Sequence, residues 1–392
     1  MSPVAIYADR AFTPFDEISD AVVVVERNKI VAVGTRQQIK VPHGARELSV
    51  PGTLVPGFVD VHIHGAGGHD VMESTPAAFQ AITTAVAQHG TTSLVATTVT
   101  ASELDTCRAT AGIAKFMLVP GETEFDISGG LSAEILGIHF EGPFISAARR
   151  GVHPAEWIAA PSLSLLSRLL SSACGTAKIL TLAPELPGSL ELVAAARDAG
   201  LVVSLGHTDA TYDQAQDAIA AGARHAAHVF NAMRPFSHRE TGVLGAVLTS
   251  PNVSAELIAD GIHVDAAAMR VLLELKTAER VILVSDGTSA TGMPDGKYQL
   301  GMFEVTVSGG VCRNAEGKLA GSTLTLDRAL QNIVALGVPL SAALRMVTVN
   351  PARQIGLGSR KGMLAVGADA DIVVLDGNLE VSGVMTRGVG LF

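Results

Sequence analysis

Two histidines that lie two residues apart, His62 and His64, are the first residues whose types and spacing could do chemistry. They end the apolar run GFVDVHIHG. If this run is a β-strand, both side chains point to the same face, because side chains alternate along a strand. Neutral imidazoles are frequent ligands of Zn²⁺, so a metal site is one interpretation. A pair of hydrogen-bonded core histidines is the other, and the motif alone leaves both open.

Four more residues of ligand type follow the ends of later apolar runs. They are Glu141 in GIHFEGPF, His207 in SLGHTDATYD, His228 in AAHVFNAM and Asp286 in ILVSDGT. Any one of them could be a satisfied core residue, and Asp286 could cap a helix. A buried carboxylate is costly, however, unless it is paired or bound to a metal. The repeated occurrence of such residues at run ends favours a shared metal site over coincidence.

The elements that must position these residues alternate between two types. Apolar β-type runs occur near 57–63, 91–99, 134–140, 178–183, 201–206, 225–230, 253–259 and 280–285, and helical patterns at 76–89, 102–117, 161–174, 188–199, 211–222 and 265–278. This alternation predicts an α/β fold of the (β/α)8 TIM-barrel type. An open doubly wound sheet is the alternative, but no GxGxxG follows the first run. In a barrel, the carboxyl ends of strands one, three, five, six and eight would bring the ligand-type residues to one mouth.

Both ends of the chain are rich in β-type sequence, whereas the middle is not. The N-terminal part contains AVVVVERNKIVAVGT and the C-terminal part KGMLAVGADADIVVLDGNLEVSGVMTRG. We expect residues 1–55 and 355–392 to pair into one small, discontinuous β-sandwich domain beside a barrel of residues 56–354, because chain ends often lie close together. Residues 297–321 predict a β-hairpin on a long loop, and helices resume near 323–336 and 340–349.

Composition and charge exclude several classes of function. The 392 residues include 28 basic and 38 acidic ones without a basic cluster, so nucleic acid is not an expected partner. Three widely spaced cysteines, Cys107, Cys174 and Cys312, predict ordinary thiols and no disulfide framework. The sequence shows neither a secretory signal nor an apolar stretch of membrane-spanning length. We therefore expect a cytoplasmic protein without a membrane partner.

These motifs resemble the amidohydrolase superfamily and, within it, the N-acetylglucosamine-6-phosphate deacetylases. The matching segments are PGFVDVHIHG (56–65), GIHFEGPFIS with RRGVHP (137–154), GHTDATYDQA (206–215), HVFNAM (228–233), ADGIHV (259–264), LVSDGT (283–288) and LAGSTLTLDRAL (319–330). The HxH pair and the strand-eight Asp are shared across the superfamily, whereas EGPF, HVFNAM and ADGIHV are more specific. The resemblance covers nearly the whole chain.

The resemblance implies a metal centre with one or two divalent ions per subunit. Glu141, His207 and His228 would hold the principal ion. Many amidohydrolases bridge two ions with a carboxylated Lys after strand four; this sequence has TLAPEL there, and Glu141 would bridge instead. His62 and His64 would complete a second position. The ligand set favours zinc, with iron, cobalt or manganese as alternatives.

The resemblance also implies a reaction. N-acetyl-D-glucosamine 6-phosphate would be hydrolysed to D-glucosamine 6-phosphate and acetate, in amino-sugar catabolism and cell-wall recycling. Asp286 would accept a proton from the attacking water and deliver one to the departing amine. His153 or a neighbour would help to stabilise the developing oxyanion, and His153 would contact the sugar hydroxyls. A loop histidine without function is the other interpretation of His153.

A phosphate clamp would complete the substrate site. Asn231, the backbone at Ala232 and His263 would contact the phosphate, and Arg239 would reach it from the neighbouring subunit of a homodimer. Arg239 could also be a solvated loop charge. His139 would share a face with Glu141 and is interpreted as a packed core histidine or as one that supports a ligand.

Two other functions stay open at this point. Another amidohydrolase, such as an aminoacylase or a cyclic-amide hydrolase, would keep the metal site but would give Asn231, Arg239 and His263 no ligand to bind. A catalytically silent barrel could act as a scaffold, and it would carry little metal. The intact ligand set argues against the scaffold.

Overall fold

A barrel of eight parallel strands lies at the centre of the computed structural model, which describes residues 2–118 and 130–391. Barrel strands one to eight are Phe58–Ile63, Thr91–Thr98, Glu134–Glu141, Ala177–Leu182, Val202–Leu205, His225–Ala226, Ser254–Leu257 and Val281–Leu283. Each pairs in parallel with the next along the chain. A parallel bridge between Ile63 and Gly287 returns the last strand to the first. This confirms the predicted barrel and excludes an open doubly wound sheet.

Helices connect the strands and cover the barrel. They are Pro76–Ala87, Glu103–Leu118, Leu163–Ser172, Ser189–Asp198, Tyr212–Ala221, Gly242–Thr249, Ala266–Leu275, Leu326–Ala335, Leu340–Val347 and Val349–Gln354. Thr75, Ser162 and Thr211 begin three of them and accept hydrogen bonds from backbone amides of the first turn. Among the residues described, no helix combines the length and apolarity needed to cross a membrane.

The helix Gly242–Thr249 does not match any pattern that the sequence predicted. Its residues, GVLGAVLT, are buried from Gly242 to Leu248. A helix that is buried all round carries no polar stripe, so it lacks the 3.6-residue periodicity on which helix prediction depends.

Barrel strands are buried on both faces, as expected for a parallel sheet that is covered by helices. Every residue of strands one, two and seven is buried. Strand one nevertheless contains Asp60 and His62, and strand seven contains Glu256. Buried polar groups need partners, and these residues direct attention to the carboxyl end of the barrel.

The two chain ends form one hydrogen-bonded sheet beside the barrel. Its strands are Val4–Phe12, Glu17–Glu26, Lys29–Thr35, Arg46–Ser49, Thr53–Pro56, Ile372–Leu375, Val381–Thr386 and Val389–Gly390. Thr53–Pro56 pairs antiparallel with Ile372–Leu375 and so joins the two ends. Apolar side chains pack on both faces of the sheet. The predicted small β domain from both ends is confirmed, whereas its division from the barrel at residues 55 and 355 stays a prediction.

The insertion after barrel strand eight is a three-stranded antiparallel sheet. Its strands are Gly296–Leu300, Phe303–Ser308 and Val311–Arg313. The predicted hairpin is therefore present, with a third short strand added. The cavity at the mouth of the barrel is lined by Leu300 of this sheet and by Leu319 and Gly321, which come after it in the chain.

A buried cluster of opposite charges joins the end sheet to the barrel. Lys361 is 1% exposed, and its Nζ lies 2.6 Å from Glu134, 2.9 Å from Asp369 and 2.7 Å from Asp371. Glu134 begins barrel strand three, and the two aspartates precede a strand of the end sheet. Burial alone would lower the pKa of Lys361, but the three carboxylates outweigh burial and raise it. The ammonium group therefore stays charged between them.

We expect Lys361→Met to destabilise the fold by about 3–5 kcal/mol, because three carboxylates would lose a buried cation. Urea unfolding followed by circular dichroism measures the change. Lys297→Met is the matched control, since Lys297 pairs with Glu304 at 2.8 Å while both side chains are largely exposed. That control should lose less than about 1 kcal/mol. Equal losses in the two variants would contradict a stabilising role of the buried cluster.

Candidate metal centre and active site

Three imidazole nitrogens converge on one carboxylate oxygen at the carboxyl end of the barrel. Glu141 Oε1 lies 3.0 Å from His207 Nε2, 2.9 Å from His228 Nε2 and 3.3 Å from His62 Nε2. The Nε2 atoms of His207 and His228 are themselves 3.1 Å apart. Residues that are separated by up to 166 positions therefore share one small volume, as the predicted metal site requires.

A second group of ligand atoms lies on the other side of the same carboxylate. Glu141 Oε2 is 3.3 Å from both His64 Nε2 and His153 Nε2. Asp286 Oδ1 is 3.2 Å from His64 Nε2 and 3.6 Å from His62 Nε2. His62, His64 and Asp286 form one group that could hold a metal ion, and His62, Glu141 and His228 form another. Glu141 contacts both groups, because its Oε1 faces His62 and His228 and its Oε2 faces His64.

Three of these side chains follow strand ends at residues with left-handed backbone. The φ angles are 47° at His207, 26° at His228 and 49° at Asp286. Such values are uncommon for residues other than glycine, and they cost free energy that is typically tolerated at functional sites. The local conformation therefore supports a functional role over ordinary packing.

The hydrogen bonds of two histidines indicate which ring nitrogen is free. His64 Nδ1 lies 3.0 Å from the carbonyl oxygen of Thr97, and His207 Nδ1 lies 3.0 Å from that of Arg149. Because a carbonyl only accepts, each Nδ1 donates, and each Nε2 of a neutral ring keeps its lone pair. Those lone pairs face Glu141 oxygens. A lone pair and a carboxylate oxygen that face each other in a buried site can both bind one cation. A ligand set of imidazole nitrogens and carboxylate oxygens is typical of a divalent ion such as Zn²⁺.

The electrostatics of the site lead to the same conclusion. In the protein alone, burial would lower the pKa of His64, but the carboxylates of Asp286 and Glu141 outweigh burial and raise it to about 10, so Nε2 holds a proton at the position where a metal ion would bind instead. Burial lowers the pKa of His207 to about 4, so this ring is neutral at neutral pH and keeps a lone pair for a metal ion. The carboxylates therefore attract positive charge to the site, and a bound cation can supply it.

Asp286 is placed as a base. Burial alone would raise the pKa of its carboxyl, but the neighbouring His64 and His62 imidazoles outweigh burial and lower the pKa below its ordinary value. The carboxylate is consequently ionised at neutral pH. Its side chain keeps some exposure, 12%, and lines the cavity above the ligands.

His153 differs from the proposed ligands in its hydrogen bonding. Its Nδ1 accepts a hydrogen bond from the backbone N–H of Thr100 at 3.2 Å. The proton of a neutral ring therefore sits on Nε2, which lies 3.3 Å from Glu141. His153 presents a hydrogen-bond donor rather than a ligand lone pair.

The cavity above these groups has a volume of about 210 Å³. The predicted substrate residues His153, Asn231, Ala232 and His263 all line it. His263 is held by Asp260, whose Oδ2 lies 2.6 Å from His263 Nδ1. Apolar lining comes from Val99, Val152, Leu300 and Leu319.

Arg239 is the predicted site residue that the structure does not bring to this cavity. It is exposed in the segment that follows Ala232 and is not among the described residues that line the cavity. The neighbouring Phe236 is 56% exposed. A contact with the site of the same subunit is therefore not observed, and the predicted contact with another subunit stays a prediction.

Sequence reasoning missed Glu256 and left His139 with two interpretations. Glu256 is fully buried in barrel strand seven, with Oε2 2.8 Å from His62 Nδ1. The available signal was a single charge inside the apolar run VSAELIA. His139 is buried, lies 2.7 Å from Thr181 through Nε2 and packs its ring 4.6 Å from that of His62. It is a packed histidine that also supports a proposed ligand.

Comparisons with known proteins add an independent finding. The model of the amidohydrolase family matches residues 53–390. An N-acetylglucosamine-6-phosphate deacetylase of Bacillus subtilis (strain 168) is 35% identical over 96% of this chain and 94% of its own length. An N-acetylgalactosamine-6-phosphate deacetylase of Escherichia coli O157:H7 is 37% identical over 86% of each chain.

Solved structures show the same similarity. The N-acetyl-D-glucosamine-6-phosphate deacetylase from Mycobacterium smegmatis is 38% identical, with a TM-score of 0.89 over 99% of this chain and 100% of that chain. A mutant of that enzyme in complex with N-acetyl-D-glucosamine-6-phosphate has a TM-score of 0.91 at 38% identity over 100% of this chain and 99% of that chain.

Proposed function

The chain belongs to the amidohydrolase family, and we propose that it hydrolyses N-acetyl-D-glucosamine 6-phosphate to D-glucosamine 6-phosphate and acetate. The observation that carries the proposal is the convergence of imidazole and carboxylate ligands on the floor of a cavity that Asn231 and His263 also line. The similar deacetylases act, by their names, on this sugar phosphate or on its galactosamine counterpart. An aminoacylase or a cyclic-amide hydrolase would give Asn231 and His263 no ligand to bind.

These ligands would bind one or two divalent ions per subunit. Zinc would be preferred to iron, cobalt or manganese. Glu141, His207 and His228 would hold the principal ion, and His62 with His64 the second, with Glu141 between the two positions. Such an ion supplies Lewis acidity, which lowers the pKa of water towards neutrality and polarises an amide carbonyl.

Asp286 would move the proton that the reaction requires. Its ionised carboxylate would accept the proton of the attacking water and then donate it to the nitrogen of the departing amine. The C–N bond of the acetamide breaks, and the products are acetate and the free amino sugar. His153, which presents Nε2–H, would donate to the oxyanion or to a sugar hydroxyl.

A second set of residues that line the cavity would bind the phosphate. Asn231, the backbone at Ala232 and His263 supply donors from one subunit, and Arg239 would come from the partner in a homodimer. Arg239 is exposed and does not line the cavity of its own subunit, so its side chain is available for a contact in trans. Arginine suits this role because its planar guanidinium donates two parallel hydrogen bonds to phosphate oxygens.

We expect Arg239→Ala to raise KM by about 10–100-fold with a much smaller change in kcat, because a hydrogen bond to a charged group contributes about 1.5–3 kcal/mol. Steady-state kinetics with the sugar phosphate measure both constants. Arg46→Ala, at an exposed position of the end sheet, is the control and should leave KM unchanged. A KM of the Arg239 variant equal to that of the wild type would exclude the clamp.

Mixed dimers show from which subunit Arg239 acts. An Arg239→Ala subunit paired with an Asp286→Asn subunit contains one complete site if Arg239 acts in trans, and none if it acts in cis. Mixing the two variants should therefore restore turnover at low substrate concentration. Without restoration in dimers that are shown to exchange subunits, the contact in trans is wrong.

A substrate panel tests the function itself. Acetate release is measured with N-acetylglucosamine and N-acetylgalactosamine, each with and without a 6-phosphate, and with N-acetyl amino acids and a cyclic amide, while metal content is determined on the same sample. We expect kcat/KM to be highest for N-acetylglucosamine 6-phosphate. It should be at least about 100-fold lower for N-acetylglucosamine, because the contacts with the phosphate contribute about 2.7 kcal/mol. Preference for an unphosphorylated amide would overturn the proposal.

A further inference from the structure

Glu256 is a fully buried carboxylate in the middle of barrel strand seven, Ser254–Leu257. Its Oε2 lies 2.8 Å from His62 Nδ1 and accepts a hydrogen bond from the backbone N–H of His228 at 2.9 Å. One oxygen atom therefore contacts two of the proposed metal ligands, and these belong to different ion positions.

The hydrogen bond from His228 shows which group donates in the hydrogen bond between Glu256 and His62. A backbone N–H can only donate, so Glu256 Oε2 is an acceptor, as an ionised carboxylate is. His62 Nδ1 must then donate to it, and Nε2 of a neutral His62 ring keeps its lone pair. That Nε2 is buried and has no hydrogen-bond partner among the described residues. It faces Glu141 Oε1 at 3.3 Å and Asp286 Oδ1 at 3.6 Å.

The other oxygen of Glu256 argues against a purely structural role. Glu256 Oε1 has no hydrogen-bond partner among the described residues, and His225 Nε2 lies 3.6 Å away from it. A carboxylate that served only to satisfy the barrel interior would use both oxygens. The hydrogen bonds of this one are directed to His62 and His228.

We propose that Glu256 is a positioning residue that fixes the His62 ring with Nε2 towards the second ion. The inference rests on the metal centre proposed above. His64 and His207 are oriented by carbonyl oxygens, whereas His62 is oriented by a carboxylate, which also makes the ring a stronger ligand. Because the same oxygen holds the backbone of His228, Glu256 couples the geometry of the two ion positions.

Zinc binding to the metal-free enzyme tests this role without substrate. Competition with a chelator gives the affinity of each equivalent for the wild type, Glu256→Met and Glu256→Gln. We expect the wild type to bind two equivalents, and Glu256→Met to bind the second about 10–100-fold more weakly with a smaller change for the first. Glu256→Gln keeps an acceptor oxygen without the charge, so its affinity for the second equivalent should lie between those of the wild type and Glu256→Met.

Asp60→Asn is the matched control. Asp60 is another buried carboxylate next to His62, but its Oδ1 accepts from the backbone N–H of His62 at 3.2 Å rather than from the ring, and Asn keeps an oxygen for that hydrogen bond. Its zinc affinities should equal those of the wild type. If Asp60→Asn binds the second equivalent as weakly as Glu256→Met does, the effect is a general one of charge, and the positioning role is overturned.

The outcomes separate this inference from the proposed function. A wild type that binds no zinc or other divalent ion would contradict the metal centre as a whole. A wild type with one equivalent, or a folded Glu256→Met variant with unchanged second affinity, would contradict only the role of Glu256. If circular dichroism shows that Glu256→Met does not fold, Glu256→Gln decides: a weaker second equivalent supports the role, and an unchanged one overturns it.

Discussion

Replacing Asp286 by Asn should lower kcat by about 10²–10⁴-fold, the usual contribution of a general acid–base group. An amide of the same shape cannot accept the proton of the attacking water. Because Asn can still contact His64, which lies 3.2 Å from the carboxylate, metal content and KM should change little. Single-turnover acetate release, with metal analysis of the same sample, measures the effect.

Asp327→Asn provides the control for this variant. Asp327 is also a buried carboxylate paired with a histidine, His89, at 3.3 Å, but it does not line the cavity. The kcat of Asp327→Asn should differ from that of the wild type by no more than about threefold. A rate above one tenth of normal in Asp286→Asn would exclude Asp286 as the proton carrier.

Glu141→Ala should remove the metal and the activity together. Glu141 lies between both groups of ligands, so its loss leaves each ion position without its shared carboxylate. Lewis-acid stabilisation is worth several kcal/mol, so activity should fall by at least about 10³-fold. Elemental analysis after dialysis should show that the bound metal is lost.

A chelated wild type is the matched comparison. Removal of the metal should abolish its activity, and added zinc should restore it, whereas zinc should not restore Glu141→Ala. A Glu141→Ala enzyme that keeps its metal and more than one tenth of its rate would show that the ions are held elsewhere.

The barrel was predictable from sequence because its signals are local. Strands such as Thr91–Thr98 are short runs rich in Thr, Val and other residues that favour strands, and they lie between amphipathic helices, so the alternation predicts the topology. The candidate site residues were recognisable for a related reason. His62, Glu141 and Asp286 are polar residues at the ends of apolar strands, where a barrel places its active site.

Other features depend on contacts that the sequence does not display. Glu256 became visible only when the structure placed its Oε2 next to His62 and the backbone of His228, which are separated from it by 194 and 28 positions. The donor character of His153 depends on a hydrogen bond from Thr100, on another strand end. A second subunit next to Arg239 is likewise outside the information in one chain.

The central claim is that Glu141, His207 and His228 meet around a common cation. Anomalous diffraction from crystals of the purified protein, recorded on both sides of the absorption edge of the metal found by elemental analysis, tests it most directly. We predict a peak within coordination distance, about 2.0–2.2 Å, of Glu141 Oε1 and the Nε2 atoms of His207 and His228. A fully folded enzyme that releases acetate at its full rate without such a peak would contradict the claim.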